Sequence, residues 1–158
     1  MGAVAKVAGV AAGTAYVHYE SKEDLVYATY LEVKEQLGDE VIAQVDPGAE
    51  PTERYRQMWL AIYDHLAREP ERARFLTQME ESPYYEMAKA QLLEQGDKLV
   101  ELASSEDFVE VLVPLPMEVV YVLTMGVAVR LVASGTKLSN EQLETLVGAT
   151  WRAITKAT

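Results

Sequence analysis

Side chains that could contact a nucleic-acid backbone lie close together near the start of the chain. Tyr16, Val17 and His18 fall on the outer part of a short predicted helix, and Lys22 falls at the N-terminus of the next one. A lysine at a helix N-terminus can pair with a phosphate, and the free backbone amides of that helix end assist it. The spacing therefore predicts a phosphate-contacting surface in this segment.

The elements that would position these side chains are two short helices joined by a tight turn. The first predicted helix ends at Gly9, which permits a sharp change of backbone direction. Val10 follows as an apolar plug between the two helices, and Gly13 lets the start of the second helix approach another backbone closely. This arrangement matches a helix-turn-helix unit.

The segment from Val4 to Leu25 resembles the N-terminal signature of the TetR family of bacterial regulators, without a gap over 22 positions. In this chain it reads V-A-K-V-A-G-V-A-A-G-T-A-Y-V-H-Y-E-S-K-E-D-L. The resemblance implies a transcriptional repressor that binds operator DNA as a dimer and is released by a small lipophilic effector. It also implies that Thr14, Tyr16, His18 and Lys22 contact the operator and that Gly13 allows close approach to it.

Four features depart from that family pattern. Ala11 stands where a helix-capping serine is common, and a lost cap costs roughly 1 kcal/mol. Ala12 replaces a frequent polar contact residue, and Ala15 replaces a larger packing residue. The basic first helix of the family is absent before Gly2, so we expect poor packing up to about residue 20. We therefore expect operator binding from a parent protein with that helix, and impaired binding from this chain.

The remaining sequence predicts an all-α fold, with a helical-bundle domain that follows the partial helix-turn-helix domain. Apolar residues recur at helical spacing, and no stretch alternates as a half-buried strand does. We assign residues 1–37 to the DNA-binding domain with its linking helix, which should fade near Gly38, and 38–158 to a ligand-binding and dimerisation domain. One long helix is predicted to follow Ser82-Pro83 and contain Gly96, and another to span Met117–Ala133. Ser139 and Gln142 form a predicted capping box.

Two sets of residues in the second domain are predicted to bind partners. Large, adaptable side chains suited to a mostly apolar cavity should converge on an effector, although each taken singly could be an ordinary core residue. The predicted effector-binding residues are Trp59, Tyr63, Phe75, Met79, Tyr84, Tyr85, Met117, Tyr121 and Met125. The helices have more apolar surface than one monomer of this size needs for its core, which favours a two-fold dimer. The predicted dimer contacts are Leu123, Val127, Leu131, Leu143, Leu146, Val147, Thr150, Trp151 and Ile154.

Composition limits the other possibilities. The chain has no cysteine, which excludes disulfides, cysteine-ligated zinc and thiol catalysis. No secretory signal is visible and the longest apolar run is too short to cross a bilayer, so we expect a cytoplasmic protein. A net charge of −11, from 14 basic and 25 acidic residues, argues against nucleic-acid binding when taken alone.

Two other classes of protein compete with a regulator. An enzyme could use His65 beside Asp64, or Glu80 paired with Glu81 or Glu118, but no nucleophile accompanies them. We expect no catalytic activity, no cofactor and no metal. A helical module that binds a ligand or a protein without DNA would suit the negative charge, but such a module has no need of a helix-turn-helix signature.

Overall fold

The computed structural model describes residues 19–156 of the chain. Over this range the polypeptide forms nine helices and no sheet, with a single antiparallel bridge between Leu112 and Thr155. The predicted all-α fold is confirmed. The helices are α1 (Lys22–Gln44), α2 (Pro51–Arg68), α3 (Pro70–Glu80), α4 (Tyr85–Gln95), α5 (Lys98–Ala103), α6 (Glu106–Val111), α7 (Met117–Leu123), α8 (Met125–Ser134) and α9 (Asn140–Ile154).

The linking helix α1 is longer than the sequence predicts. Ser21 caps it by accepting a 3.1 Å hydrogen bond from the backbone amide of Asp24. The expected end near Gly38 is wrong, because α1 continues to Gln44 with Val41 fully buried. An interior glycine costs only about 1 kcal/mol, which packing of the next turn can outweigh. Gly38 serves close packing instead, since a Cβ there would lie 3.1 Å from Cβ of Lys98 on α5.

The predicted long helix after Pro83 is divided into α4 and α5. Gly96 ends α4 with a φ of +94°, a value that residues with a side chain rarely adopt. Asp97 then caps α5, because its Oδ1 accepts from the backbone amides of Leu99 at 2.9 Å and Val100 at 3.4 Å. A glycine followed directly by a capping aspartate therefore ends one helix and starts the next.

The predicted helix Met117–Ala133 is also two helices, α7 and α8, which meet at Thr124 with a bend of 43°. Two buried side-chain hydrogen bonds stabilise the break. The Thr124 hydroxyl donates to the Val120 carbonyl at 2.6 Å, and the Trp59 indole N–H donates to the Thr124 carbonyl at 3.3 Å. The Trp59 contact is long-range, so the local apolar pattern could not predict it.

Helix α2 runs through the centre of the bundle. It packs against α1, α8 and α9, and α8 also packs along α3. Trp59 and Leu66 of α2 are fully buried, and the Tyr55 hydroxyl donates a 2.8 Å hydrogen bond to Thr150 of α9. Helix α9 begins with the predicted capping box between Ser139 and Gln142, which is confirmed.

Helices α7 and α8 are the most apolar pair in the sequence. Taken together they have the length and hydrophobicity of a membrane span, but their 43° bend divides them. Among residues 19–156, no single helix is long and apolar enough to cross a membrane.

Candidate functional site

A cavity of about 380 Å³ lies between α1, α2, α3, α4, α5, α7 and α8. Its walls are mainly aliphatic and aromatic, with a few charged groups. The lining residues are Tyr30, Lys34, Leu37, Ile62, Leu76, Glu80, Tyr85, Lys89, Leu92, Leu93, Asp97, Leu99, Val100, Met117, Glu118, Tyr121, Val122, Met125 and Val129. A second, smaller cavity of about 110 Å³ shares Tyr121 and Met125 with the first and extends to Phe108 and Ile154.

The linking helix contributes a continuous stripe to the first cavity. Tyr30, Lys34 and Leu37 line it, and their spacing of four and three residues places them on one face of α1. Tyr30 also makes an edge-to-face contact with Tyr85 on α4, with ring centroids 6.4 Å apart. Sequence reasoning missed this stripe, although its spacing on a predicted helix was a visible signal.

Four of the nine predicted effector-binding residues line this cavity: Tyr85, Met117, Tyr121 and Met125. The other five lie elsewhere. Trp59 and Tyr63 stack on each other with centroids 5.8 Å apart, and Phe75 and Met79 are buried on α3. Tyr84 donates a 3.2 Å hydrogen bond to Glu23 at the start of α1.

On α3, the residues that face the cavity are one position later than those predicted. Leu76 and Glu80 line it, whereas Phe75 and Met79 do not. A step of one residue rotates a side chain by about 100° around a helix, so the apolar pattern alone did not fix which stripe faces the empty space.

Two ion pairs lie in the cavity wall. Lys34 Nζ is 3.3 Å from Asp97 Oδ2, and Lys89 Nζ is 3.0 Å from Glu118 Oε1. The Lys34–Asp97 pair joins α1 to the cap of α5 and is largely shielded from solvent. A backbone hydrogen bond, followed by the contact with Lys89, lowers the pKa of Glu118, and the hydrogen bond to Glu118 raises the pKa of Lys89.

The carboxylate of Glu80 lies among tyrosines. The Tyr121 hydroxyl donates a 2.7 Å hydrogen bond to Glu80 Oε1, and Arg130 approaches Oε2 at 3.4 Å. Burial raises the pKa of Tyr121 and Tyr30 well above the usual value, and the nearby Glu80 charge raises them further. Tyr85 shows the same two effects on its pKa. These phenols therefore keep their protons to a higher pH than exposed tyrosines do.

The predicted dimer residues fall into two groups. Leu143, Val147, Thr150 and Ile154 are buried within the core of the single chain. The remaining five keep exposed or half-buried surface: Leu123, Val127, Leu131, Leu146 and Trp151. Leu123, on α7, has 37% of its surface exposed. A dimer contact through these five residues stays a prediction, and it involves fewer side chains than the nine that the sequence suggested.

Of the predicted DNA-contacting residues, Lys22 is exposed at the first position of α1. Gly13, Thr14, Tyr16, Val17 and His18 lie outside the described residues. The operator contacts therefore stay a prediction.

Of the candidate catalytic residues, His65 lies away from the cavity that Glu80 and Glu118 both line. His65 Nε2 lies 3.3 Å from Arg72 Nη1, and burial followed by the charges of Arg72 and Arg68 lowers its pKa. Glu80 and Glu118 line the cavity but each contacts a cation. Within residues 19–156, no three histidine or carboxylate side chains are grouped as a metal site would require.

Comparisons with known proteins agree on one family. Residues 51–155 match the family model described as tetracyclin repressor-like, C-terminal domain. An uncharacterised HTH-type transcriptional regulator from Haemophilus influenzae is 29% identical over 159 residues, covering 97% of this chain and 83% of that protein.

Solved structures show the same likeness. A TetR-family transcriptional regulator from Haemophilus influenzae superposes with a TM-score of 0.74 at 26% identity, covering 96% of this chain and 82% of that one. A TetR-family transcription regulator from Marinobacter aquaeolei also gives 0.74, at 21% identity over 97% of this chain and 83% of that one. At that lower identity the likeness concerns the fold alone.

Proposed function

The chain belongs to the TetR family of transcriptional regulators, and we propose that it is a repressor that binds operator DNA as a homodimer and is released by a small lipophilic effector. Family members regulate transcription and are not enzymes, so the enzyme alternative is set aside. The position of the cavity against the linking helix carries the ligand-response part of this proposal.

The cavity has the properties of a small-molecule site. Its volume of about 380 Å³ falls in the usual range for ligand pockets, and mostly apolar walls with few polar groups suit a lipophilic compound. A compound bound there would touch Tyr30, Lys34 and Leu37, because all three line the cavity from α1. Ligand binding and the position of α1 are therefore expected to be coupled.

Helix α1 begins at Lys22, inside the segment Val4 to Leu25 that resembles the helix-turn-helix signature. If α1 can adopt two positions relative to the bundle, a ligand that makes better contacts with one of them would favour that position. In a dimer, that shift would change the separation of two recognition helices, which must match half-sites about 34–36 Å apart or a multiple of that distance. The expected result is loss of operator affinity when the cavity is filled.

A substitution that fills the cavity tests this coupling without knowledge of the effector. Leu76 is 4% exposed and lines the cavity from α3. We expect Leu76→Trp to weaken binding of the chain to the DNA upstream of its own gene, measured by fluorescence anisotropy at several salt concentrations. Leu60→Trp, at a half-buried position of α2 outside the cavity lining, is the matched control.

The DNA contact itself has a separate test. Lys22→Gln should weaken binding to all sequences and reduce the salt dependence by about one released counterion. Failure to bind at low salt, both by this chain and by a version that carries the family's basic first helix in front of it, would contradict the DNA-binding proposal. Unchanged DNA affinity of a folded Leu76→Trp variant would contradict coupling through the cavity.

A further inference from the structure

An open groove of about 520 Å³ lies between the linking helix α1 and the junction of α2 and α3. None of the described residues lines both this groove and the cavity described above. Its walls carry charged or titratable side chains from α1 on one side and from the α2–α3 junction on the other. They are Asp39, Glu40, His65, Arg68, Glu69 and Arg72.

On the α2 side of the groove, His65 contacts a guanidinium group. His65 is half-buried, and its Nε2 lies 3.3 Å from Arg72 Nη1 at the start of α3. A guanidinium stays protonated in proteins and can only donate, so the histidine nitrogen has to accept this hydrogen bond. Arg72 is fixed from its other side, since its Nε donates to Glu69 at 3.0 Å. The contact therefore requires a neutral imidazole with its proton on Nδ1.

The α1 side of the groove supplies two carboxylates, which have different partners. Arg68 Nη2 lies 2.6 Å from Glu40 Oε1, and this pair joins α2 to α1. Asp39 pairs instead with Lys98 on α5. Glu40 is therefore the α1 carboxylate that interacts with the α2 side of the groove, where His65 lies.

The charges around His65 act on its proton in opposite directions. Burial and then the charges of Arg72 and Arg68 lower its pKa, whereas Glu40 and Glu69 raise it by a smaller amount. A protonated imidazole has no lone pair on Nε2 and would carry a positive charge 3.3 Å from the guanidinium. It would therefore be repelled by Arg72 and attracted by the carboxylates.

From this geometry we propose that His65 exchanges partners when it is protonated, losing Arg72 on α3 and gaining Glu40 on α1. Glu40 is the favoured anion, because Arg72 itself occupies Glu69. The imidazolium would share Glu40 with Arg68, so the pair that holds α1 to α2 would be weakened. Acidification would thus act on the linking helix, and the inference goes beyond the proposed function because it needs neither DNA nor an effector.

Titration of His65 by NMR on the full chain tests the partner assignment. His18 and His65 are the only histidines, so a His18→Gln background has a single imidazole to observe. We expect the Nδ1–H tautomer at neutral pH and a pKa below the ordinary 6.5. Arg72→Gln should raise this pKa and Glu40→Gln should lower it further. Arg74→Gln, on α3 but outside the groove lining, is the matched control and should have little effect.

Hydrogen exchange of backbone amides tests the structural consequence. His65→Gln stays uncharged, and its amide oxygen can still accept from Arg72. We compare this variant with the unmodified chain at about pH 5 and at about pH 8, on either side of the imidazole titration. At the lower pH, amides at the start of α3 should exchange about tenfold faster in the unmodified chain, as the loss of one hydrogen bond to a charged group would give. At the higher pH the two proteins should agree.

Each result supports or overturns the proposal. A His65 pKa at or above 6.5, a proton on Nε2 at neutral pH, or a pKa that Arg72→Gln leaves unchanged would overturn the contact with Arg72. A pKa unaffected by Glu40→Gln would overturn the exchange toward α1, and equal acid exchange in folded His65→Gln would overturn the structural consequence. The titration needs no substitution at residue 65, so it decides the matter even if that variant fails to fold. All of these outcomes leave the proposed operator and effector binding untouched.

Discussion

Lys34 Nζ on the linking helix lies 3.3 Å from Oδ2 of Asp97, while Oδ1 of the same carboxylate caps α5. One side chain therefore fixes the start of α5 and holds it to α1. The side chains of the pair are 15% and 8% exposed, so both charges are largely removed from water. The pair lies in the cavity wall.

Removal of the Asp97 charge should destabilise the chain. Asp97→Asn keeps an oxygen that can cap α5 but leaves Lys34 without its anion in a mostly buried position. Because an unpaired buried charge is costly, we expect the free energy of unfolding to fall by about 3 kcal/mol. Urea denaturation followed by circular dichroism measures the change.

The control breaks an ion pair between the same two helices at the surface. Asp39 pairs with Lys98, and their side chains are 61% and 38% exposed. Asp39→Asn should have a much smaller effect, since exposed pairs contribute little. An equal loss of stability in the two variants would show that the Lys34–Asp97 pair has no special role.

Stability should decrease in alkaline solution because of the cavity tyrosines. Tyr30 and Tyr121 have pKa values raised above the ordinary 10.0, first by burial and then by neighbouring groups. Above about pH 10 the unfolded chain loses phenol protons that the native state keeps, so the free energy of unfolding falls as the pH rises. Below that pH the stabilising contribution of these tyrosines is fully present. Where a phenol is ionised in the unfolded chain and protonated in the native state, it lowers the free energy of unfolding by about 1.4 kcal/mol per pH unit.

Urea denaturation between about pH 8 and about pH 11 measures this slope. Tyr30→Phe and Tyr121→Phe should each make it shallower, and the double variant shallower still. If the double variant retained the slope of the unmodified chain, the alkaline loss of stability would have another origin.

A dimer that forms through α7 and α8 should be disrupted by a charge introduced on the predicted dimer face. Leu123 is 37% exposed on α7 and belongs to the predicted dimer face. Leu123→Glu places a charge in a contact that would bury it, so we expect a monomer in sedimentation equilibrium and weaker operator binding. Val109→Glu, at a 48% exposed position on α6 outside that face, should leave the association state unchanged. If Val109→Glu gave a monomer and Leu123→Glu stayed a dimer, the interface would lie elsewhere.

Much of the fold could be predicted because its determinants are local. The apolar spacing on α2, the proline at the start of α3 and the capping box at Ser139 each act within a few residues. The family resemblance likewise rests on a continuous segment, and the match over residues 51–155 places the chain in the same family.

The cavity was predicted only in part. Tyr85, Met117, Tyr121 and Met125 line it as expected, because large side chains on neighbouring apolar helices converge. Glu80 was considered only as a catalytic or metal-binding candidate, and Lys34 was not considered. Their roles depend on partners 41 and 63 residues away, Tyr121 and Asp97.

By itself, the sequence determined the helical class, the family and the order of the main helices, since these follow from periodicity, caps and one contiguous motif. Only the tertiary structure decided where the helices break and which faces surround empty space. Trp59 on α2 stabilises the break at Thr124, and Lys98 on α5 packs against Gly38 on α1. Such contacts join residues distant in the chain, so their energies leave no trace in local patterns.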